Sequence, residues 1–155
     1  MILPILLFCL VFGPLPEEPG WRGYGLDGLQ AHHSAWFSSL VVGLVWALWH
    51  LPLFFISGTW QVESIGLGTQ RFWLFLFSLL FESVIYTWIV NNTRRSILAP
   101  ILYHFATNSL GELFALSPRA EVINFALLIL AVILVLIIWG PKKLLRDRAL
   151  AYQLH

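Results

Sequence analysis

The chain has 155 residues, of which 59% are hydrophobic and 11% are charged, and its formal net charge is +1. Soluble domains carry about 25% charged residues, so this composition excludes an ordinary water-facing surface and indicates a bundle of membrane-spanning segments. The near-neutral charge excludes nucleic acid as a partner, because phosphate binding needs a large basic surface, and the single cysteine, Cys9, excludes an internal disulfide.

Five apolar segments are predicted to be helices, because an open sheet edge cannot be satisfied in lipid. They are 1–13, 35–57, 72–90, 97–116 and 122–139. The last four have about the 17–25 residues that a transmembrane helix needs. The first is short and lacks the basic start and cleavage site of a signal peptide, so we expect the end of a transmembrane helix whose beginning is brief or missing. The sequence therefore predicts an all-α, multi-pass transmembrane helical bundle of about four to five spans.

The loops are short and no repeat is present, so residues 1–155 are predicted to form a single membrane domain with a C-terminal anchor helix at 122–139. Alternating the sides of five spans places Arg71 and Arg119 on one side. The other Lys and Arg residues fall opposite: Arg22, Arg94, Arg95, Lys142, Lys143, Arg146 and Arg148. Cytoplasmic loops carry the excess of positive charge, so we expect an integral membrane protein whose C-terminus is cytoplasmic.

Polar side chains within apolar segments need a reason, because an ionisable group at the bilayer centre costs about 2.5–3.5 kcal/mol. Four such residues are His50, Glu82, His104 and Asn108, and three more, Glu17, Glu18 and Arg22, follow the first segment. We expect them to meet in a shared polar pocket.

Spacing along the predicted helices supports that pocket. Three pairs of residues are each four apart: Glu18 and Arg22, Trp46 and His50, and His104 and Asn108. Residues at this spacing project from one helix face, so His104 and Asn108 lie together and Trp46 forms an aromatic wall beside His50. Pro52, just after His50, predicts a kink. A carboxylate, two imidazoles and a carboxamide can activate water and hold an oxyanion, which predicts hydrolysis of a carbonyl compound.

These residues also form a set of three motifs on successive membrane segments. Residues 17–22 read EExxxR, residues 46–50 read FxxxH with Trp for Phe, and residues 104–108 read HxxxN. The set, spanning about residues 13–110, resembles the CPBP intramembrane endopeptidases. That group includes the CAAX prenyl proteases and the bacterial Abi proteins tied to bacteriocin processing and self-immunity. The resemblance implies a hydrolase that cleaves a peptide bond of a membrane-associated substrate, either a prenylated CAAX-type peptide or a bacteriocin-like peptide.

The resemblance also implies a role for each motif residue. Glu17 and His50 would activate the attacking water, and His104 and Asn108 would stabilise the oxyanion. Glu18 and Arg22 would form a supporting ion pair. These residues would make up a catalytic core at about 13–110. Two residues outside this division, Trp46 and Glu82, are predicted to support the site, Trp46 as the aromatic wall and Glu82 through a hydrogen bond to another helix or to the site.

Metal dependence stays open at this point. The family is commonly labelled metalloprotease, and Glu17, His50 and His104 could hold zinc with an open position for water. A glutamate-activated water flanked by hydrogen-bond donors needs no metal, and no HExxH pair is present, so we favour a site without a cofactor.

Other classes remain as alternatives. A non-catalytic transporter or proton-relay component would also bury His and Glu in its spans, and an immunity scaffold could retain the motifs. Other intramembrane proteases are excluded, because the sequence has neither the GxGD of the aspartyl type nor a serine in a GxSx context. Three small residues of the fourth segment, Ala106, Ser109 and Gly111, predict close helix packing there.

Overall fold

The computed structural model describes residues 2–145, and within that range every regular element is helical. The α-helices are α1 Ile2–Val11, α2 Pro14–Glu18, α3 Leu26–Gln30, α4 Ala35–His50, α5 Gln70–Asn92, α6 Leu98–Leu113 and α7 Pro118–Trp139. A π-helical segment, Pro19–Gly25, joins α2 to α3, and a 3-10 helix, Leu51–Phe55, continues α4. A π-helical turn, Gln61–Ile65, lies before α5. The predicted all-α helical membrane bundle is confirmed.

Four helical runs in the described part of the chain are long and apolar enough to cross a membrane. They are Ile2–Gln30, Ala35–Phe55, Gln70–Asn92 and Pro118–Trp139. The first apolar segment ends close to the predicted residue 13, because α1 ends at Val11 and residues 12–13 form a turn. What the prediction missed is that further helical segments continue the run to Gln30.

The predicted full-length fourth span is wrong. Helix α6 has 16 residues, which corresponds to a length of about 24 Å, against about 30 Å for the hydrocarbon core. Residues 114–117 are apolar enough to extend the hydropathy signal, yet they leave the helix to make the connection to α7.

Hydroxyl side chains fix where three of the long helices begin. Ser34, Thr69 and Ser117 each accept a hydrogen bond from the backbone N–H three residues later, at the starts of α4, α5 and α7. Such caps satisfy a backbone donor that the first turn of a helix leaves without a partner. At the other end of α4, Pro52 falls in the 3-10 helix, so the α-helical winding ends just before the proline, and the predicted kink stays a prediction.

Helices α4 and α5 form the centre of the bundle and approach each other closely. Every fourth residue of α4 is small and buried: Ala35, Ser39, Gly43 and Ala47. A Cβ atom added to Gly43 would lie 2.9 Å from the Cα of Leu80 on α5, so only glycine permits this approach. Small residues are the usual means by which membrane helices pack closely. The close packing predicted for α6 is not found at Gly111, which is exposed with open space where a Cβ would be.

Helix α7 also packs against α5. Val132 and Val135 of α7 join Val84 and Ile85 of α5 in one buried apolar cluster. The α7 residues that face away from this cluster are aliphatic and exposed, as expected for a surface in contact with lipid.

The chain after α7 folds back onto the other helices. The backbone N–H of Ala35 donates to the carbonyl of Lys142, and that of Trp36 donates to the carbonyl of Pro141. The carboxamide of Asn91 on α5 donates to the carbonyl of Lys143. We call this set of bonds the C-terminal clasp. It joins the start of α4, the end of α5 and the end of α7 at one end of the bundle.

Cations mark the two ends of the bundle. Arg95, beside the C-terminal clasp, pairs with Asp27, whereas Arg71, at the start of α5, pairs with Glu121 at the start of α7. Arg22 does not belong with the loop cations as predicted, because it is 1% exposed inside the bundle. Arg146 and Arg148, also counted in the sequence prediction, lie outside the described residues.

Candidate active site

The first motif lies where the first helical run, Ile2–Gln30, changes from α-helical to π-helical winding. Pro19 has no N–H to donate to the preceding turn, and from here the chain takes the wider π-helical form, in which the N–H of Leu26 reaches the carbonyl of Trp21. Arg22 lies one turn after Glu18, and its Nη1 donates to Glu18 Oε1 over 3.3 Å. Both side chains are at most 1% exposed, so the predicted ion pair is present and buried.

Glu18 also holds the first residue of the third motif. The Nδ1 of His104 on α6 lies 2.8 Å from Glu18 Oε1, the same oxygen that accepts from Arg22. An ionised carboxylate only accepts hydrogen bonds, so the His104 proton is on Nδ1 in this contact. The bond fixes the orientation of the ring and directs Nε2 toward Gly13.

Glu17 is held by the second motif. The indole Nε1–H of Trp46 donates to Glu17 Oε2 over 2.7 Å, which is the length of a strong charge-assisted bond. Glu17 is half-buried, whereas its neighbour Glu18 is fully buried. The two adjacent carboxylates therefore have different partners, an indole for Glu17 and an arginine with an imidazole for Glu18.

His50 is oriented by its own helix. Its Nδ1 lies 2.8 Å from the carbonyl oxygen of Trp46, one turn earlier on α4. Because a carbonyl only accepts, Nδ1 carries the proton and Nε2 has a free lone pair. The His50 ring packs edge-on against Trp49 and Phe75, with centroids 5.1 and 5.4 Å away, so apolar side chains surround the imidazole.

Trp46 connects the three motifs. The centroid of its ring lies 5.6 Å from that of His50 and 5.5 Å from that of His104. The predicted aromatic wall beside His50 is therefore present, and it separates the two imidazoles. Trp46 is 2% exposed, so water has almost no access to its side chain.

Asn108 lies one turn beyond His104 at the exposed edge of the site. A Cβ atom added to Gly13 would lie 3.0 Å from Asn108 Nδ2 and 3.8 Å from His104 Nε2. Two nitrogens that can donate hydrogen bonds thus flank one small space, and the missing side chain of Gly13 keeps that space open. The sequence analysis did not identify Gly13, since a glycine between an apolar segment and a proline is common in loops.

Glu82 is placed differently from the prediction. It lies within electrostatic range of His104, Arg22 and Glu18, but within residues 2–145 its carboxylate makes no hydrogen bond. The expected bond from Glu82 to another helix or to the site is therefore not found in this part of the chain.

The three side chains named for the alternative zinc site each have another hydrogen-bond partner in residues 2–145. In the described part of the chain, no group of three or more His, Cys, Asp or Glu side chains converges to hold a metal ion. One atom of each expected ligand is already bound elsewhere: Glu17 to an indole, His104 to Glu18, and His50 to a carbonyl. All three side chains contact Trp46.

Tyr86 is a site residue that the sequence analysis missed. It is fully buried on α5, and its ring lies 5.6 Å from that of Trp46 and 6.0 Å from that of His104. The sequence feature that could have indicated a role for Tyr86 at the site is its position one turn after Glu82. A tyrosine within an apolar helix is too common to be singled out on that ground.

The arrangement supplies the parts needed for water-dependent hydrolysis. Glu17 and the Nε2 of His50 can accept protons. Asn108 Nδ2, and His104 Nε2 when its ring is an imidazolium, can donate to a developing negative charge. Each group except Asn108 is held by a hydrogen bond to another site residue, so the site is largely preorganised.

Comparison with known proteins identifies the family. The family described as type II CAAX prenyl endopeptidase Rce1-like matches residues 1–110. The chain is similar to CAAX prenyl protease 2 of Methanococcus maripaludis, with 36% identity over 128 residues. That alignment covers 81% of this chain and 46% of the relative, so the chain spans about half the length of the curated relative that it matches. The family match includes all three motifs, and the chain belongs to the Rce1-like family of type II CAAX prenyl endopeptidases.

Proposed function

We propose that the protein is an intramembrane endopeptidase in which Glu17 and His50 activate water. The observation that carries this proposal is the way Trp46 holds the site: it donates to Glu17 through Nε1 and accepts from His50 through its carbonyl. One residue thus orients a carboxylate and an imidazole beside an oxyanion site, inside a helical membrane bundle of the Rce1-like family.

The reaction follows from the proton acceptors and donors. Glu17 takes a proton from water while the Nε2 of His50 accepts a hydrogen bond from the same water, and the water oxygen bonds to the carbonyl carbon of the scissile peptide. His104 Nε2, protonated when the ring is an imidazolium, and Asn108 Nδ2 donate to the resulting oxyanion. The carbon–nitrogen bond then breaks, and the proton held by Glu17 passes to the leaving amine.

For the substrate, we propose a peptide with a lipid attached near the scissile bond. The relative is named as a CAAX prenyl protease, and in this chain the rings of Trp49 and Phe75 make the surroundings of His50 apolar. Burial of apolar surface contributes about 25 cal/mol per Å², so an attached lipid would strengthen binding against such surroundings. A bacteriocin-like peptide without a lipid is the competing substrate.

The test compares a farnesylated fluorogenic CAAX peptide with its unlipidated form, using the purified protein in detergent. Glu17→Gln keeps an oxygen for the Trp46 N–H but cannot accept the proton from water, so we expect kcat to fall by about 10²–10⁴-fold. Glu63→Gln, in the loop before α5, is the matched control and should keep full activity.

Three outcomes would contradict parts of this proposal. Retained turnover in Glu17→Gln would disprove the role of Glu17. Because we propose a site without a metal, loss of turnover in the presence of a chelator would overturn that part. Equal cleavage of the lipidated and unlipidated peptides would argue against a bound lipid.

We also propose that the end of the bundle with the C-terminal clasp faces the cytoplasm. Arg94, Arg95, Lys142 and Lys143 are at this end, against Arg71 and Arg119 at the other, which follows the positive-inside rule. Trypsin should therefore cut after Lys142 or Lys143 in inverted membrane vesicles but not in intact cells. Cleavage there in intact cells would reverse the orientation.

A further inference from the structure

Arg22 lies in the interior of the bundle, in the angle between two aromatic rings whose planes are inclined at 85°. Its Cζ atom lies 4.2 Å from the centroid of the Trp46 ring and 4.0 Å from that of the Tyr86 ring. The side chain is 1% exposed, and Nε and Nη2 have no hydrogen-bond partner among residues 2–145. The guanidinium therefore has one ion-pair contact, through Nη1, and two aromatic neighbours.

The ion pair alone does not fix the guanidinium. Arginine and carboxylate bind most strongly when two parallel N–H donors meet two oxygens, but here one nitrogen meets one oxygen at 3.3 Å. A single contact of this length leaves the guanidinium plane free to rotate. Aromatic faces at about 4 Å from a planar cation restrict that rotation, and cation–π attraction is strongest where water is excluded.

The position of Arg22 controls the orientation of His104. Glu18 Oε1 accepts both from Arg22 Nη1 and from His104 Nδ1, so a movement of the guanidinium moves the shared oxygen. The His104 ring has to follow that oxygen to keep its 2.8 Å contact, and its Nε2 would then turn away from Asn108.

Tyr86 contacts Arg22 through the face of its ring, and the Tyr86 hydroxyl takes no part in this contact. The hydroxyl is buried without a hydrogen-bond partner in the described part of the chain. The ring itself is held by edge-on packing against Tyr103, with centroids 5.0 Å apart. Phenylalanine would keep both the face toward Arg22 and the packing against Tyr103.

We infer that Tyr86 is a positioning residue for the proposed hydrolysis, because its ring fixes Arg22 against Trp46 and thereby sets Glu18 and the oxyanion donor His104. This inference rests on the proposed function for its kinetic consequence. The contact between Tyr86 and Arg22 can be measured without any activity.

The kinetic test uses three substitutions at two positions. Tyr86→Leu should lower kcat by about 30-fold with little change in KM, because it affects the oxyanion site and not substrate binding. Tyr86→Phe should keep wild-type kcat. The matched control is Phe81→Leu, which removes a ring of the same helix that packs against Phe125 of α7 and should leave kcat within about twofold.

A double-mutant cycle asks whether Tyr86 acts through Arg22. If it does, Tyr86→Leu should have no further effect on kcat once Arg22→Met has been made, since the two substitutions break the same connection. Independent effects of the two substitutions on kcat would overturn the inference. If Tyr86→Leu fails to fold, Tyr86→Met, which keeps volume without a ring face, takes its place.

A direct readout is the Nε–Hε resonance of Arg22 in arginine-labelled protein studied by NMR in detergent. Two rings shift this proton upfield, so Tyr86→Leu should move it toward the exposed-arginine position while Tyr86→Phe leaves it in place. An unmoved resonance together with reduced kcat would refute the inference. If the resonance moves as expected but the wild-type protein cleaves no substrate, the proposed function fails and the positioning of Arg22 by Tyr86 stands.

Discussion

The indole nitrogen of Trp46 gives this site a hydrogen bond that the family pattern does not provide. The sequence analysis treated tryptophan as a large replacement for phenylalanine at this position. In the structure, Trp46 also donates to Glu17 over 2.7 Å, which phenylalanine cannot do. A substitution that conserves the aromatic wall therefore adds a direct restraint on the proposed general base.

Trp46→Phe should retain the ring contacts with both histidines and release Glu17. A hydrogen bond to a charged group contributes about 1.5–3 kcal/mol, so we expect kcat to fall by about 10- to 100-fold. Trp73→Phe, on an exposed face of α5, is the matched control. Unchanged kcat in Trp46→Phe would mean that Glu17 is positioned by other contacts.

The motif residues and their contacts within a helix were predictable from sequence, but the contacts between different helices were not. Helical spacing predicted that His50 would lie beside Trp46, and that contact is confirmed. Spacing acts only within a helix, so it could not predict that Glu18 binds His104, 86 positions later in the chain, or that Tyr86 covers Arg22. These contacts depend on how α4, α5 and α6 pack around the π-helical segment.

The packing of α4 against α5 depends on Gly43, which has no side chain at the contact. Gly43 allows the two backbones to approach so closely that an added Cβ would meet the Cα and the carbonyl oxygen of Leu80, at 2.9 and 3.0 Å. Backbone atoms of a packed helix cannot give way as the end of a flexible side chain can.

Gly43→Ala is therefore expected to destabilise the bundle by about 1–3 kcal/mol, the usual cost of overpacking. The measurement is thermal unfolding of the purified protein in detergent. Gly111→Ala provides the matched control, because no atom lies within 4 Å of the added Cβ, and the better helix propensity of alanine should keep or raise stability. Equal melting temperatures for the two variants would show that α5 can move away from α4.

The small residues of α4 were visible in the sequence, yet the sequence analysis assigned close packing to α6. Both helices contain small residues at helical spacing, and sequence does not show which face meets a neighbour. The predicted lengths of the first and fourth spans differ from the observed ones for a related reason. Hydropathy measures apolar character, so it extended α6 into its exposed connection and ended the first run where charged residues turn inward.

At the scale of the whole molecule, the C-terminal clasp joins elements that are far apart in sequence. Asn91 donates both to Gln30, at the end of α3, and to the carbonyl of Lys143 after α7. The carbonyls of Pro141 and Lys142 accept from the first N–H groups of α4, which would otherwise lack helical partners.

Asn91→Ala should loosen this end of the bundle without changing the active site. The Asn91 carboxamide makes four hydrogen bonds, with Gln30, Lys143 and Arg95. Their loss is expected to raise the rate of trypsin cleavage after Lys142 or Lys143 by about tenfold, because these bonds limit local opening. Thr93→Ala serves as the control, since the Thr93 hydroxyl bonds only to carbonyls of its own helix. Equal cleavage rates in the two variants would show that other contacts hold the segment.

The C-terminal clasp also bears on the order in which the protein folds. Chains emerge from the ribosome N-terminal end first, so α4 and α5 are complete while the residues after α7 have yet to be made. The partners of the first N–H groups of α4 are the carbonyls of Pro141 and Lys142, more than a hundred positions later. The central helix pair therefore stays open at this end until the residues that follow α7 have been made, and a late segment of the chain completes the structure of an early helix.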